Sequence, residues 1–383
     1  MDFFLYLCML NCDLNKKVAN QRYKYIDLGA GLMILWMIMG HAVNQASLAE
    51  IMQYGLWGMT GVDALPEGLH ARLGSDGSVN IIGLGYFIPN FLFFFMQWFF
   101  YKSGQFFTKR SIGEEWKKDW SKLIIQFLIW SAVGYVLYVV LLGFQDDLTL
   151  RKATYSIVRG FVLNGYIPLN YPLWFLFSLF VVKQVGNIVL PQKDDNYFHL
   201  KCALITLGGF AVGFAAYCLQ WRFFPLWVAN GSVGLAFFTL GYWLSNYETK
   251  WWLLVPSLAL YIPYLIWGLP LFGIISAISN SCSSTEGYLA SLPVCFSGIV
   301  VFNYLCRLIA QYLPYVSALF EIIGKYAMII YVSHGMFSEG IPTILATFDL
   351  TSFMSFRTCF WIIVIAYVVC LPIFCFMSKK IKY

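Results

Sequence analysis

The feature that most limits this chain is a succession of apolar runs of about 20 residues, the length a helix needs to cross roughly 30 Å of hydrocarbon. Ten can be marked, at residues 25–45, 82–101, 121–143, 172–191, 202–219, 226–245, 252–270, 288–307, 316–340 and 358–377. Lipid offers backbone amides no water, so such runs must satisfy their own hydrogen bonds and are expected to be helices. The composition points the same way. Of 383 residues, 60% are hydrophobic and only 11% are charged, whereas about a quarter of a soluble domain is charged. The sequence predicts an all-α integral membrane protein with about ten transmembrane helices in a single bundle. No period repeats and no Gly/Ser-rich linker divides the chain. One membrane domain is therefore expected over 25–378, between an N-terminal segment at 1–24 and a basic tail at 379–383.

Orientation follows from where Lys and Arg collect, because cytoplasmic loops are enriched in both. Lys16, Lys17, Arg22 and Lys24 precede the first run, Lys109, Arg110, Lys117 and Lys118 follow the second, and "SKKIKY" closes the chain. With ten spans all three groups fall on one side, so both termini are expected to be cytoplasmic. The link from Gln45 to Asn80 carries Glu50, Asp63, Glu67 and Asp76 against Arg72 and His70, which suits the outer side. One segment disagrees: "DDLTLRKATYSIVR" places Arg151, Lys152 and Arg159 outside, and its two acids offset them only in part. The opening "MDFFLYLCML" lacks a basic start and is short for a secretory signal, so the first span is expected to direct insertion itself. The ten cysteines form no C-x-x-C pair and have no histidine at zinc spacing, which argues against a metal site. The net charge of +6 is accounted for by cytoplasmic loops and implies no nucleic-acid partner.

Two histidines lie at membrane depth, where ionisable groups are costly and usually face the bundle interior or a wet cavity. In "IDLGAGLMILWMIMGHAV", His41 follows Tyr25 by 16 residues, or roughly 24 Å of helix, which places it in the outer third of the membrane. In "EIIGKYAMIIYVSHGMF", His334 follows Leu319 by 15 residues in a run of the same direction, so it should reach nearly the same depth. Two imidazoles at one level predict a polar cavity. Alone, His41 reads equally well as polar glue, hydrogen-bonded to a neighbouring helix. Glu321 and Lys325, four residues apart, are expected to pair on a helix surface.

These segments carry a resemblance. "YIDLGAGLMILWMIMGHAV" resembles the first-span signature of the acyltransferase family 3 membrane proteins. "FFFMQWFFYKSGQFF", Phe93 to Phe107, is similar to their second-span phenylalanine-rich motif ending in Ser-Gly, here Ser103 and Gly104. "YPLWFLFSLFVV", Tyr171 to Val182, resembles their Pro-Leu-Trp-Phe-Leu stretch. "IGKYAMIIYVSHGMF" resembles their Gly-Lys segment ending in Ile-Tyr-x-x-His, here Tyr331 and His334. The resemblance implies a ten-helix O-acyltransferase of the bacterial inner membrane. It implies transfer of an acyl group, often acetyl, from cytoplasmic acyl-CoA to a hydroxyl of an envelope polysaccharide, related glycan or glycolipid at the outer face. It also assigns His41 to the position of the family's catalytic histidine. An imidazole there is placed to take the hydroxyl proton as the oxygen attacks the thioester. It is equally placed to attack the carbonyl itself and form an acyl-imidazole. The sequence leaves both open.

There are two departures from the family pattern. Where the family usually has Arg or Lys eleven residues before the histidine, this chain has Ala30, and Gln97 stands in place of the second-span Pro. Lys102 ends an outside-to-inside span at about the depth of Ala30. Either it supplies the missing charge towards the donor, beside Ser103, or it snorkels to the interface as lysines at span ends do. Lys109 and Arg110 are placed to meet the phosphates of CoA, or only enforce topology. Asp27 lies on nearly the same face as His41 but about 21 Å below it. It is therefore a favourable first-turn acid, or organises the donor channel with Lys102 or Arg22. Trp174 enters the fourth span after Pro172 near the histidine level, where an indole stacks on a sugar or anchors at the interface. With Tyr331 and His334 it makes the expected acceptor-binding set, and the outer link at 45–80 is the expected acceptor platform. A secondary transporter or glycan flippase is the rival reading, and would show internal symmetry that is not detected. A structural or interaction protein would tolerate losing both histidines, and an inactive relative stays open because of Ala30.

Overall fold

A computed structural model describes residues 16–53, 92–144, 149–160, 165, 169–219, 225–267 and 285–380. Most of the outer link and the first half of the second apolar run lie outside the described residues, as do the side chains of the terminal basic clusters other than Lys24. Every regular element among the described residues is helical. In chain order these are α1 (Lys16–Gln53), α2 (Phe95–Gln105), α3 (Ile112–Asp119), α4 (Ile125–Phe144), α5 (Leu150–Arg159), α6 (Trp174–Val189) and α7 (Phe198–Cys218). There follow α8 (Leu226–Leu244), α9 (Trp251–Trp267), α10 (Thr285–Tyr312), α11 (Pro314–Lys325), α12 (Ala327–Ser338), α13 (Gly340–Thr347) and α14 (Phe356–Lys380).

Five described stretches are long and apolar enough to cross a membrane: Lys24–Val43, Ile112–Phe144, Tyr171–Val189, Phe198–Cys218 and Gly287–Tyr312. A sixth arises if α11 and the α12–α13 segment count as one bent span, and Trp251–Ile266 and Phe356–Cys370 are shorter apolar helices. The chain is thus an integral membrane bundle of helices. Within lipid there is no hydrophobic drive between helices, so close packing and small residues hold them together. Gly104 of the Ser-Gly motif shows this: a Cβ there would overlap the backbone carbonyl of Phe238, so its absence lets α2 and α8 touch backbone to backbone. Around this crossing α2 buries Phe94, Trp98, Phe100 and Tyr101. Phe94 packs edge-on against Tyr261 and Phe302, and Phe100 against Phe175.

Two local features steer residues towards the candidate site. Ser111 caps α3 with a full capping box, its hydroxyl accepting from the Glu114 N–H while the Glu114 carboxylate accepts from the Ser111 N–H. One π-helical turn over Trp120–Ile124 then joins α3 to α4. The second feature corrects the straight ninth span. That run breaks at Tyr326, and its two parts are bent by 67°. The physical cause is the tie between α11 and α1. A Cβ on Gly324 would overlap the Asp27 carbonyl, so α11 is pinned flush to α1. The chain must then turn before α12 can enter between α1, α4 and α14. Glu321 accepts a hydrogen bond from Ser317 at 2.5 Å.

Candidate active site

The bend at Tyr326 overrides simple counting along a helix, and still it brings the two histidines together. The rings of His41, on α1, and His334, on α12, lie 5.1 Å apart between centroids. Tyr171, in the helical turn before α6, places its hydroxyl 2.9 Å from Nδ1 of His41. His41 is half-buried and His334 fully buried. Nδ1 of His334 lies 2.5 Å from the carbonyl oxygen of Tyr331. That oxygen can only accept, so Nδ1 carries the proton and Nε2 presents a lone pair. Nε2 is buried and has no hydrogen-bond partner among the described residues.

The segment bearing Tyr171 is stapled to α12 from both sides. Leu169 adopts a left-handed conformation, φ 62°, which turns the chain into Asn170. The buried Asn170 donates through Nδ2 to the carbonyl of Val332 at 3.1 Å, and the Tyr331 hydroxyl donates to the carbonyl of Pro172. Gly335 makes the contact possible, since a Cβ there would approach Asn170 Oδ1 to 2.5 Å and Pro172 Cδ to 2.8 Å. Glu339, one turn beyond Gly335, accepts the backbone N–H of Tyr171. Tyr331 is thereby a staple of the pocket wall. Trp174 is only 3% exposed and packs edge-on against Phe175, so the side chain of this segment that faces His41 is Tyr171.

At the other end of the apolar part of α1 a second polar group has formed. Lys102 is 3% exposed and turns inward instead of snorkelling. Its Nζ donates to Gln105 Oε1 at 2.8 Å, lies 3.5 Å from Glu248 and sits 4.9 Å above the Tyr25 ring. Glu248 is buried and also takes Arg307 at 2.9 Å and the Asn303 amide at 2.8 Å. Arg307 donates to the Tyr25 hydroxyl at 2.7 Å and stacks on its ring. Two cations therefore share one carboxylate. Asp27, Ala30, Lys102 and Ser103 line one small cavity, of about 20 Å³. A second, of about 40 Å³, shares Ser103 and Phe99 with the first. It runs between Ile34, Phe175 and Met328 to Tyr331. The two make an interrupted seam from Lys102 towards the histidines, wide enough in each part for only a few waters.

Lys109 and Arg110 are tied to α3 and α6. Lys109 donates to the carbonyl of Leu190 at 2.6 Å, closing the C-terminus of α6. The backbone of Arg110 is paired in both directions with the Asn187 side chain, and its Nε lies 3.5 Å from Glu115. Glu115 and Asp119 are buried and are met by Lys183 of α6. Among the described residues no group of three His, Cys, Asp or Glu side chains is arranged to hold a metal ion.

Tyr171, Asn170 and Glu339 at the outer pocket, and Glu248, Arg307 and Asn303 at the inner group, did not emerge from the sequence. Tyr171 and His41 are 130 residues apart and Glu248 and Arg307 are 59 apart, so no local spacing links them. The usable signal was weaker: Glu248 and Arg307 are charges at span ends, and Tyr171 directly precedes Pro172. No curated protein and no solved structure matches the chain. Residues 23–377, from just before the inner group to the end of the bundle, match the acyltransferase domain of family 3, and the protein thus belongs to the family of membrane acyltransferases whose motifs its histidine segments resemble.

Proposed function

We propose that the protein moves an acyl group, acetyl in the simplest case, from cytoplasmic acyl-CoA to a hydroxyl of an envelope glycan or glycolipid arriving from the outer face. This adds a donor, an acceptor and a direction to membrane acyltransferase activity in general. The single observation that carries it is the seam of cavities from Lys102 and Asp27, past Ser103, to Tyr331 beneath the histidine pair. Positive charge at one end suits the phosphates of CoA, and the apolar middle, lined by Phe99, Phe175 and Met328, suits its uncharged arm. Lys102 stands in the cavity that Ala30 also lines, and takes the place of the missing basic residue. Lys109 and Arg110 extend the positive face beyond the membrane, and Asp27 balances the seam opposite Lys102.

At the outer end, His41 donates its Nδ1–H to the Tyr171 oxygen and keeps Nε2 free to act as general base. The acceptor hydroxyl gives its proton to Nε2 as its oxygen attacks the thioester carbonyl. The C–S bond then breaks, an ester forms, and the proton passes from the imidazolium to the departing CoA thiolate. His334, with its tautomer set by the Tyr331 carbonyl, faces the same hydroxyl. Trp174 supports the acceptor wall from behind. In this proposal the domain spans 25–378 with ten crossings, 1–24 and 379–383 lie in the cytoplasm, and the membrane is the bacterial inner membrane. The test is transfer of radiolabel from acetyl-CoA to a crude envelope-glycan fraction by purified protein. Label in the glycan with stoichiometric release of CoA is expected. No transfer across several acyl-CoAs and acceptors would overturn the proposal and favour transport or an inactive relative.

A further inference from the structure

Three polar atoms near the histidine pair are buried without a hydrogen-bond partner among the described residues: Nε2 of His334, Oδ1 of Asn170 and Oε1 of Glu339. They lie on two segments pressed against each other. Asn170 Oδ1 rests on Gly335, His334 precedes that glycine, and Glu339 follows it by one turn and holds the Tyr171 N–H. The orientation of the Asn170 amide is set by its own bonds, because Nδ2 donates to the carbonyls of Val332 and Trp130. What remains is its oxygen. The His334 tautomer is set in the same way, and what remains is a lone pair. Asn170 Oδ1 and His334 Nε2 are therefore acceptors, and the Glu339 carboxyl keeps an acceptor oxygen in either protonation state. Folded proteins pair nearly all their buried polar atoms, so a one-sided cluster of this kind calls for a partner rich in donors.

We infer that Asn170 and Glu339, together with His334, form the subsite that selects the acyl acceptor, and that it selects a hydroxyl flanked by a second hydroxyl. This rests on the acyl-transfer proposal above and assigns two residues to it. The reacting hydroxyl turns its proton to the imidazoles, while its neighbour donates to Glu339 and Asn170. A simple alcohol leaves those acceptors unpaired, and sites built to hydrogen-bond a hydroxyl reject analogues that lack it.

The test uses the full-length protein in detergent with acetyl-CoA as donor. The graded acceptors are 1-propanol, 1,2-propanediol and glycerol, and ester formation and CoA release are read separately. For the wild type, kcat/KM is expected to rise about tenfold or more from propanol to the diol. Glu339→Leu is expected to abolish that preference. Glu339→Gln, which keeps one acceptor and the size of the side chain, is expected to weaken the preference about threefold and decides the matter if the leucine variant does not fold. A wild type that ignores the second hydroxyl would overturn the inference, as would a folded Glu339 variant with undiminished preference. Both results leave acyl transfer standing. No thioester cleavage with any acceptor would instead overturn acyl transfer, and the subsite with it.

Discussion

The two polar regions at either end of the apolar part of α1 are built on opposite principles. At the inner end the groups are charged and paired: Lys102 and Arg307 converge on Glu248, and Asn303 and Tyr25 hold the knot from either side. At the outer end the imidazoles meet each other and Tyr171, and three buried polar atoms have no partner among the described residues. Paired charges in a low-dielectric bundle set one geometry and resist change. Unpaired acceptors mark a place that another molecule completes. The difference is that the inner end is closed on itself by ion pairs, while the outer end keeps polar atoms that no described residue meets.

That contrast can be broken at either end. The largest effect is expected at the outer end, where His41→Ala should lower transfer by about 10²–10⁴, read as labelled ester at saturating donor. Tyr171→Phe should fall between this variant and the wild type, because it frees the ring without removing it. The next effect is on stability. Glu248→Ala leaves the buried Lys102 ammonium unpaired, which costs about 3–5 kcal/mol. Thermal unfolding in detergent should show a clear drop, with far less for His41→Ala. A Glu248→Ala variant as stable as wild type would mean that the inner knot is not paired in the membrane.

Lys102→Ala sharpens the comparison further. Loss of one charge-assisted contact, about 1.5 kcal/mol, should raise the KM for acetyl-CoA about tenfold and leave the KM for the acceptor in place. Equal changes in both would merge the two ends into one site. The smallest effect belongs to the exposed Lys201–Asp195 pair, at 2.6 Å. The Lys201 ammonium, helped by the Tyr197 N–H, holds the Asp195 carboxyl below its ordinary range. Its contribution is present above the unfolded pKa and lost as pH falls through the lower folded one. Because the pair is exposed, Lys201→Ala should leave the unfolding temperature at neutral pH unchanged within error.

How much of this was legible in the sequence follows from what enforces each feature. Lipid forces long apolar runs into helices, so α1, the α3–α4 segment, α6, α7 and α10 coincide with expected spans. The position of His41 along its helix follows from counting, because α1 is continuous from Tyr25 to His41 and beyond. Counting was unsound for His334. Its run breaks at Tyr326, and the break depends on Gly324 meeting α1, a contact between segments some 300 residues apart. The fate of Lys102 was likewise undecided, since a lysine at a span end reads the same whether it snorkels or turns inward. Burial of Glu248 settles it, and Glu248 lies on another helix connection. Glu339 and Asn170 were invisible for the same reason, as their significance lies in which of their atoms remain unpaired.

The most direct measurement of the central claim separates the two ends by a membrane. Protein reconstituted in one orientation into sealed vesicles would receive acetyl-CoA only on the side of Lys102 and a glycan acceptor only on the side of His41. Transfer across the bilayer is predicted, lost in His41→Ala and with its donor requirement raised in Lys102→Ala. Transfer that occurs only when donor and acceptor share one side would contradict it, because the seam between Lys102 and the histidines would then carry nothing.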